Sequence, residues 1–355
     1  MTKLLPAPGR VDFGRRGLTS RTRYWQLRFD RRTAIVTTII ALATLGVFLC
    51  SLAFGDFEVA MDEVIRVLLG GGDPANRMVV LEWRLPRALL AIVLGAALAL
   101  SGAVFQSLTR NPLGSPDIIG FSTGSYTGAL IVILLVGGGY YQVALGSLLG
   151  GIATAGIVYV LAWRGGVQGF RLIIVGIGVS AMLAAVNTWL ILRASLDDAL
   201  IAAVWGAGSL NGLGLDKLWP VLILSAIIIP VVLAHGPTLR QMELGDDASA
   251  ALGVSGNRSR LILVVLGVAL TALVTAAAGP IGFVSLVAPQ LARRLTRSAG
   301  VSLLPAAVMG AFLLALADFA AQRLFSPTVL PVGVLTVSIG GFYFLWLLVR
   351  EGKKS

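Results

Sequence analysis

Charge is what this chain has least of: Asp, Glu, Lys and Arg together make up 13% of its 355 residues, roughly half the share in a soluble domain. A water-facing surface cannot be built from so few charges, which excludes a soluble enzyme and a soluble nucleic-acid-binding protein. Cysteine and histidine are nearly missing as well. The one cysteine, Cys50, permits no internal disulfide and lies in an apolar run, where it reads as a small buried hydrophobe. The one histidine, His235, has no second histidine or cysteine cluster to complete a metal site and reads as an interfacial residue at the end of an apolar run. The chain has no G-x-x-x-x-G-K-[ST], G-x-S-x-G or H-E-x-x-H sequence and no evident carboxylate pair, so it carries no recognisable device for binding ATP or for hydrolysis. Its 43 glycines have no three-residue period, which excludes collagen and suits helices packed closely in lipid.

Apolar residues fill the space left by charge: they are 57% of the sequence, with a mean hydropathy of +0.89. They gather into segments at about 34–54, 88–108, 118–136, 143–163, 172–192, 218–234, 261–278, 281–295, 301–321 and 332–349. A helix of about 20 residues is about 30 Å long and matches the hydrocarbon core of a bilayer. The expected fold is therefore an all-α polytopic membrane protein with about ten spans. Segment 281–295 is short, 218–234 and 261–278 are near the lower limit, and only Gly279-Pro280 separates 261–278 from 281–295. That pair reads as a tight reversal; a single broken span is the alternative and would change the parity of all that follows.

Charge distribution favours the reversal. With ten spans and the amino terminus inside, 21 of the 28 basic residues fall on the cytoplasmic side, nine of them before the first span. The opposite side keeps Arg66, Arg77, Arg84, Arg87, Arg193, Lys217 and Arg323 beside nine of the 17 acidic residues. The net charge of +11 is thus a positive-inside signature, and an odd span count would put the Arg350–Lys354 cluster on the wrong side. The expected organisation is a basic cytoplasmic segment at 1–33, one permease domain at 34–349 and a cytoplasmic tail at 350–355. The basic lead is too long for a signal peptide and lacks a convincing cleavage site.

Two pieces outside the spans stand out. Residues 57–69 put Val64, Ile65, Leu68 and Leu69 on one helical side, as for a short helix that lies at the interface or packs on the bundle. On the cytoplasmic side, 243–253 (ELGDDASAALG) has Leu244, Ala248, Ala251 and Leu252 at spacings of three to four, Asp246 and Asp247 early, and Gly253 as a cap. This suits a helix pressed against another protein, or an ordered loop. The glycine-rich stretches 137–139 and 206–214 lack the lysine of a phosphate cradle and read as turns. Asp318, near the outer end of a span, either meets a structural partner or borders an aqueous path. Asn187, Thr188 and Trp189 form a polar and aromatic patch, and Gln106, Ser107, Thr109 and Asn111 mark an inner span end. None of these makes the chain of buried acids expected of a proton relay.

These residues carry a resemblance. R-L-P-R at 84–87, LGAALALSGAVFQSLTRNPLGSPDIIG at 94–120, LGDDASAALG at 244–253, GPIGFVSLVAPQLAR at 279–293, A-D at 317–318 and L-P-V-G-V-L-T at 330–336 resemble, in order, the permease subunits of iron-siderophore and cobalamin ABC importers. The resemblance implies a non-catalytic permease in the bacterial cytoplasmic membrane, with ten spans, inverted halves and a path at the axis between two permease subunits. In the sequence, the repeat shows only as L-G-A-A-L at 94–98 and L-G-V-A-L at 266–270. It further implies a second homologous permease, two cytoplasmic ATPase subunits holding ATP and Mg2+, and an extracytoplasmic siderophore-binding protein, with no cofactor on this chain.

Residue by residue, the resemblance implies an ATPase-coupling helix at Glu243, Leu244, Gly245, Asp246, Asp247, Ala248, Ala251, Leu252 and Gly253. Binding-protein docking falls to Arg84 and Arg87, and to Arg323 less directly, because the family's further arginine matches Gln322. The gate or path takes in Gln168, Gly169, Phe170, Asn187 and Asp318. Phe170 departs from the small polar residues of the cobalamin branch and either constricts the path or packs at the interface. FQSLTRNPLGSPDIIGF at 105–121 resembles the second permease subunit of ferric-enterobactin importers, so a catecholate is the expected cargo. A hydroxamate or mixed siderophore, haem or cobalamin is the alternative within the class, and an ion-coupled secondary transporter the alternative outside it.

Overall fold

The computed structural model describes residues 17–21, 26–164, 169–326 and 328–352. A hairpin of β1 (Gly17–Arg21) and β2 (Gln26–Asp30) pairs antiparallel and leads into α1 (Arg31–Ala53). Two short helices follow, α2 (Met61–Leu68) and α3 (Pro74–Arg77), the latter running through a π-helical stretch, Met78–Arg84, into α4 (Leu85–Thr109). Next come α5 (Phe121–Ile131) with its π-helical extension Val132–Val136, α6 (Tyr140–Ala162), α7 (Gly169–Arg193) and α8 (Leu196–Gly206). The connection after α9 (Leu215–Ala234) holds α10 (Gly236–Glu243) and α11 (Asp246–Ala251). The last four helices are α12 (Gly256–Ala278), α13 (Val284–Thr296), α14 (Leu303–Arg323) and α15 (Val332–Gly352).

Among the described residues, seven helices are long and apolar enough to cross a membrane: Arg31–Ala53, Pro74–Thr109, Tyr140–Ala162, Gly169–Arg193, Leu215–Ala234, Gly256–Ala278 and Leu303–Arg323. The two segments near the lower limit, 218–234 and 261–278, are helices of 20 and 23 residues because their polar ends stay helical past the apolar run. Two of the ten expected segments are shorter, Phe121–Val136 and the 13-residue α13, while α15 covers the last of them as a helix of 21 residues.

The centre of the bundle is α4. Of its most apolar stretch 78% is buried, against 11% for α7, so α4 is enclosed by protein while α7 faces outward from this chain. Small residues let its neighbours approach: a Cβ on Gly95 would meet the Gly310 carbonyl of α14 at 2.3 Å, and one on Gly102 would strike the Ser285 carbonyl of α13. Without a hydrophobic drive between helices in lipid, such close backbone contact is what dispersion can use. Ser101 Oγ donates to Gly267 O of α12 at 2.7 Å and lies 2.8 Å from Thr271 Oγ1.

Those contacts decide the Gly279-Pro280 question. Along α12, Arg260 lies near the Arg110 end of α4 and Thr271 near Ser101, so α12 runs antiparallel to α4. Along α13, Ser285 meets Gly102 and Gln290 meets Gln106, so α13 runs parallel to α4. The chain therefore reverses between α12 and α13, and α13 begins deep in the bundle after an extended stretch.

Two elements depart from expectation. In α2 the buried residues are Val64 and Val67, packed with Leu52, Val59 and Val80, while Ile65, Leu68 and Leu69 are exposed. The helix packs on the bundle by a narrower face than the pattern suggested, because Glu63 turns inward to accept from Asp73 N and Asn76 Nδ2. The α8 helix was not anticipated. Ser195 caps it by accepting from Asp198 N, and its polar start and the glycines that follow make the sequence look like loop.

Candidate functional site

At the end of the bundle expected to be cytoplasmic, the expected single helix over 243–253 is two pieces. Glu243 closes α10, Gly245 takes a φ of +115° that side chains resist, and α11 covers only Asp246–Ala251 before Gly253 turns with a φ of +85°. The apolar stripe survives the break: Leu244, Ala248, Ala251 and Leu252 are all exposed, and the small buried residue of α11 is Ser249. The acidic residues at the break hold it to the bundle. Glu243 Oε1 accepts from Ser107 Oγ of α4 and from the Val301 N–H ahead of α14 at 3.3 Å. Asp246 Oδ1 accepts from Arg110 Nη2 at 2.5 Å and from Arg260 Nη2 at 2.9 Å, joining α11 to the end of α4 and the start of α12. Burial raises the pKa of Asp246, but Arg260 and Arg110 outweigh that effect and hold the carboxyl below its ordinary range. Asp247 is exposed. A cavity of about 250 Å³ opens between these anchors, lined by Gln106, Arg110, Glu243, Gln290 and Arg293 among others.

The expected gate is only partly in view: Gln168 lies outside the described residues. Gly169 opens α7 against the inner end of α4, where a Cβ would stand 2.6 Å from Thr109 Cα. Phe170, beside it, is 73% exposed and packs against no core of this chain. Helical geometry divides the Asn187 patch. Asn187 is buried with its Oδ1 lacking a hydrogen bond among the described residues, whereas Thr188 and Trp189 face outward with Arg193 over the Trp189 ring.

At the outer end the arginines are engaged within the chain. Arg84 donates through Nη1 to Leu52 O at 2.7 Å and Ala53 O at 3.0 Å, and through Nη2 to Phe57 O. Arg87 grips Asp318 with two donors, Nε at 2.9 Å from Oδ2 and Nη2 at 2.8 Å from Oδ1, and Gln322 Nε2 adds a bond to Oδ2 at 2.9 Å. Asp318 therefore has the structural partner that the sequence left open, and it ties the outer end of α14 to α4. Arg323 lies over the Phe319 ring, its Nε buried without a hydrogen bond.

Sequence reasoning missed three polar contacts: Glu243 with Ser107, Gln290 Nε2 with Gln106 Oε1 at 2.6 Å, and Asp117 with Ser285 at 2.6 Å. All three join residues more than 130 positions apart, and only the presence of polar atoms inside apolar motifs could have signalled them. Among the described residues no group of three or more His, Cys, Asp or Glu side chains could hold a metal ion.

Comparison with known proteins fits this layout of an enclosed α4 and broken helices. Residues 24–350 match the FecCD transport family. The chain belongs to that family. It is 49% identical over 329 residues to the ferric enterobactin transport system permease protein FepG of Escherichia coli, covering 92% of this chain and 99% of that one. It is 35% identical to the iron(3+)-hydroxamate import system permease protein FhuG of Bacillus subtilis, covering 89% and 97%. A solved inward-facing conformation of a metal-chelate type ABC transporter superposes with a TM-score of 0.81 at 28% identity, covering 89% of this chain and 99% of that one. As a FecCD member the chain is a multi-pass, non-catalytic permease, and membership implies an importer with a second permease, an ATPase and a binding protein.

Proposed function

We propose that this chain is one of the two permease subunits of an ATP-driven importer of ferric siderophores, with a catecholate of the ferric-enterobactin kind as cargo. The observation that carries the reading is the 49% identity, over nearly the whole of both chains, to a permease named for ferric enterobactin transport. The lower identity to a hydroxamate permease makes hydroxamates the second choice. Ten spans remain the reading of the topology, with the half-length α5 and α13 and the described part of α15 completing the seven long helices. The opposed directions of α12 and α13 against α4 support it.

Two partner ATPase subunits bind ATP and Mg2+ and press on the exposed face of Leu244, Ala248, Ala251 and Leu252. Because Glu243 and Asp246 are bonded to α4, to α12 and to the turn before α14, a displacement there acts on the core of the bundle rather than on a slack loop. Gly245 and Gly253 let α11 tilt against α10 and α12. The path runs between this chain and a homologous second permease, along outward-facing α7, with Gln168, Gly169 and Phe170 at its inner mouth and Asn187 in its wall. The extracytoplasmic binding protein docks on the Arg84, Arg87 and Arg323 end, where any carboxylate that takes Arg87 competes with Asp318. Such pairs set register and encounter rate more than affinity.

Iron uptake tests the cargo. A strain lacking this chain, offered one chelate at a time, loses uptake of ferric enterobactin and keeps uptake of ferric hydroxamates. Loss of hydroxamate uptake with catecholate uptake intact overturns the choice.

A further inference from the structure

Asp117 takes no part in the coupling segment, the gate or the outer-end ion pair. It lies in the irregular segment between α4 and α5, and each of its oxygens accepts from a serine. Ser122 Oγ donates to Oδ1 at 2.6 Å, and Ser285 Oγ donates to Oδ2 at 2.6 Å. Ser122 is the second residue of α5, and Ser285, fully buried, is the second residue of α13. One side chain thus holds the first turns of two helices, reaching Ser285 across 168 positions.

The meeting point is inside the bundle. Ser285 lies against Gly102, seven residues before the end of α4 at Thr109, which puts the contact roughly 10 Å in from that end. Both helices start there after backbone that no regular helix could supply: Gly120 ahead of α5 has a φ of +91° and Phe283 ahead of α13 a φ of +67°. Non-helical backbone at such depth persists only where protein encloses it or water lines it, and an acidic side chain there faces the positive ends of two helix dipoles. Around the same point Gln106 donates to Leu286 O at 2.9 Å and accepts from Gln290. Every polar contact of the start of α13 named here thus runs to α4 or to the segment that follows it.

We propose that Asp117 is a positioning residue of the transport cycle. It pins the start of α5 to the start of α13, so the two places where the helical walls are broken move as one block with α4. The pin makes displacement of α4 and α13 reach α5, and through α5 the helices α6 and α7 packed on it. A carboxylate serves because its two separate oxygens each accept from one serine. The proposal rests on the chain being a transport permease, and on neither the cargo nor the coupling segment.

The test is made in membranes holding the whole importer, in a Cys50→Ala background. Radiolabelled iron is supplied as ferric enterobactin, a ferric hydroxamate or ferric citrate, whichever the parent takes up. Asp117→Ala should cut uptake by about tenfold or more with the chain still accumulating and ATP hydrolysis still present. Asp117→Asn, which keeps one acceptor, should fall between that variant and the parent. Asp117→Cys with Ser285→Cys should be as impaired as Asp117→Ala while reduced. A short bis-methanethiosulfonate linker, which forms a disulfide with each cysteine and releases two methanesulfinates, should then restore uptake to within about threefold of the parent, a rescue that a folding defect would not give. Uptake that stays low once the link has formed means that the contact must open in the cycle, and overturns the pin. Parental uptake by Asp117→Ala or by the reduced pair overturns it equally.

Discussion

At the scale of single residues, the Arg87 and Asp318 pair is the clearest case of a charge whose cost in lipid is met inside the chain. Asp318 is 2% exposed, and two guanidinium donors and an amide satisfy its oxygens. Removing one member leaves the other buried and unpaired, which costs about 3–5 kcal/mol, whereas replacing both with apolar residues of similar size costs far less. Asp318→Ala and Arg87→Ala should each lower the melting temperature of the purified protein markedly, and Arg87→Met with Asp318→Leu should recover most of the loss. A double variant as unstable as the singles would refute this. Asp246 answers to pH differently. Its folded pKa lies below the unfolded value of about 3.9, so its contribution is complete above that value and is lost as pH falls through the lower folded one. The melting difference between parent and Asp246→Asn should therefore be constant between about pH 5 and 8 and shrink only below about pH 4. A change within the neutral range would point to another titrating group.

At the scale of elements, α4 and α14 cross where two glycines face each other, and neither has room for a side chain. A Cβ on Gly310 would stand 2.3 Å from the Gly95 carbonyl and 2.4 Å from Ala99 Cβ. Gly310→Val should push the helices apart and cost about 1–3 kcal/mol, read as a lower melting temperature and less accumulated protein, while Gly341→Val on α15, with nothing near it, should leave both unchanged. The sequence gives such helices easily, since apolar length and flanking charge mark α1, α4, α6, α7, α9, α12 and α14 without reference to anything distant. It conceals elements whose limits depend on tertiary contact. α13 is short because its start is fixed by Asp117 and Gly102, α8 is a helix because Ser195 caps it, and α11 is separated from α10 by the backbone of one glycine. The same holds for the polar contacts. That Asp318 needed a partner was readable, but that the partner was Arg87 was not, because pairing across 231 positions leaves no local pattern.

At the scale of the whole molecule, the fold is an enclosed core reached from two ends. One end is tied by Arg84 and by the Arg87 and Asp318 pair, and the other by Glu243 and Asp246. The proposed drive by a partner ATPase requires force to cross the Glu243 and Asp246 end. The exposed stripe on α11 is the part of that end not spent on internal packing. Gly245 is a poor place to test it, since a φ of +115° strains any replacement and confuses coupling with folding. Leu252 is better: its side chain is 56% exposed, and Leu252→Glu removes no contact of the core. In the reconstituted importer, Leu252→Glu should insert, assemble with the second permease and hydrolyse ATP, yet lower the iron imported per ATP by about tenfold or more, the scale of one lost interfacial anchor. Asp247→Asn, exposed on the same short helix but off the stripe, should keep the parental ratio. Equal ratios for Leu252→Glu and parent would mean that force enters elsewhere, and Glu243 and Asp246 would then hold a loop that transmits nothing.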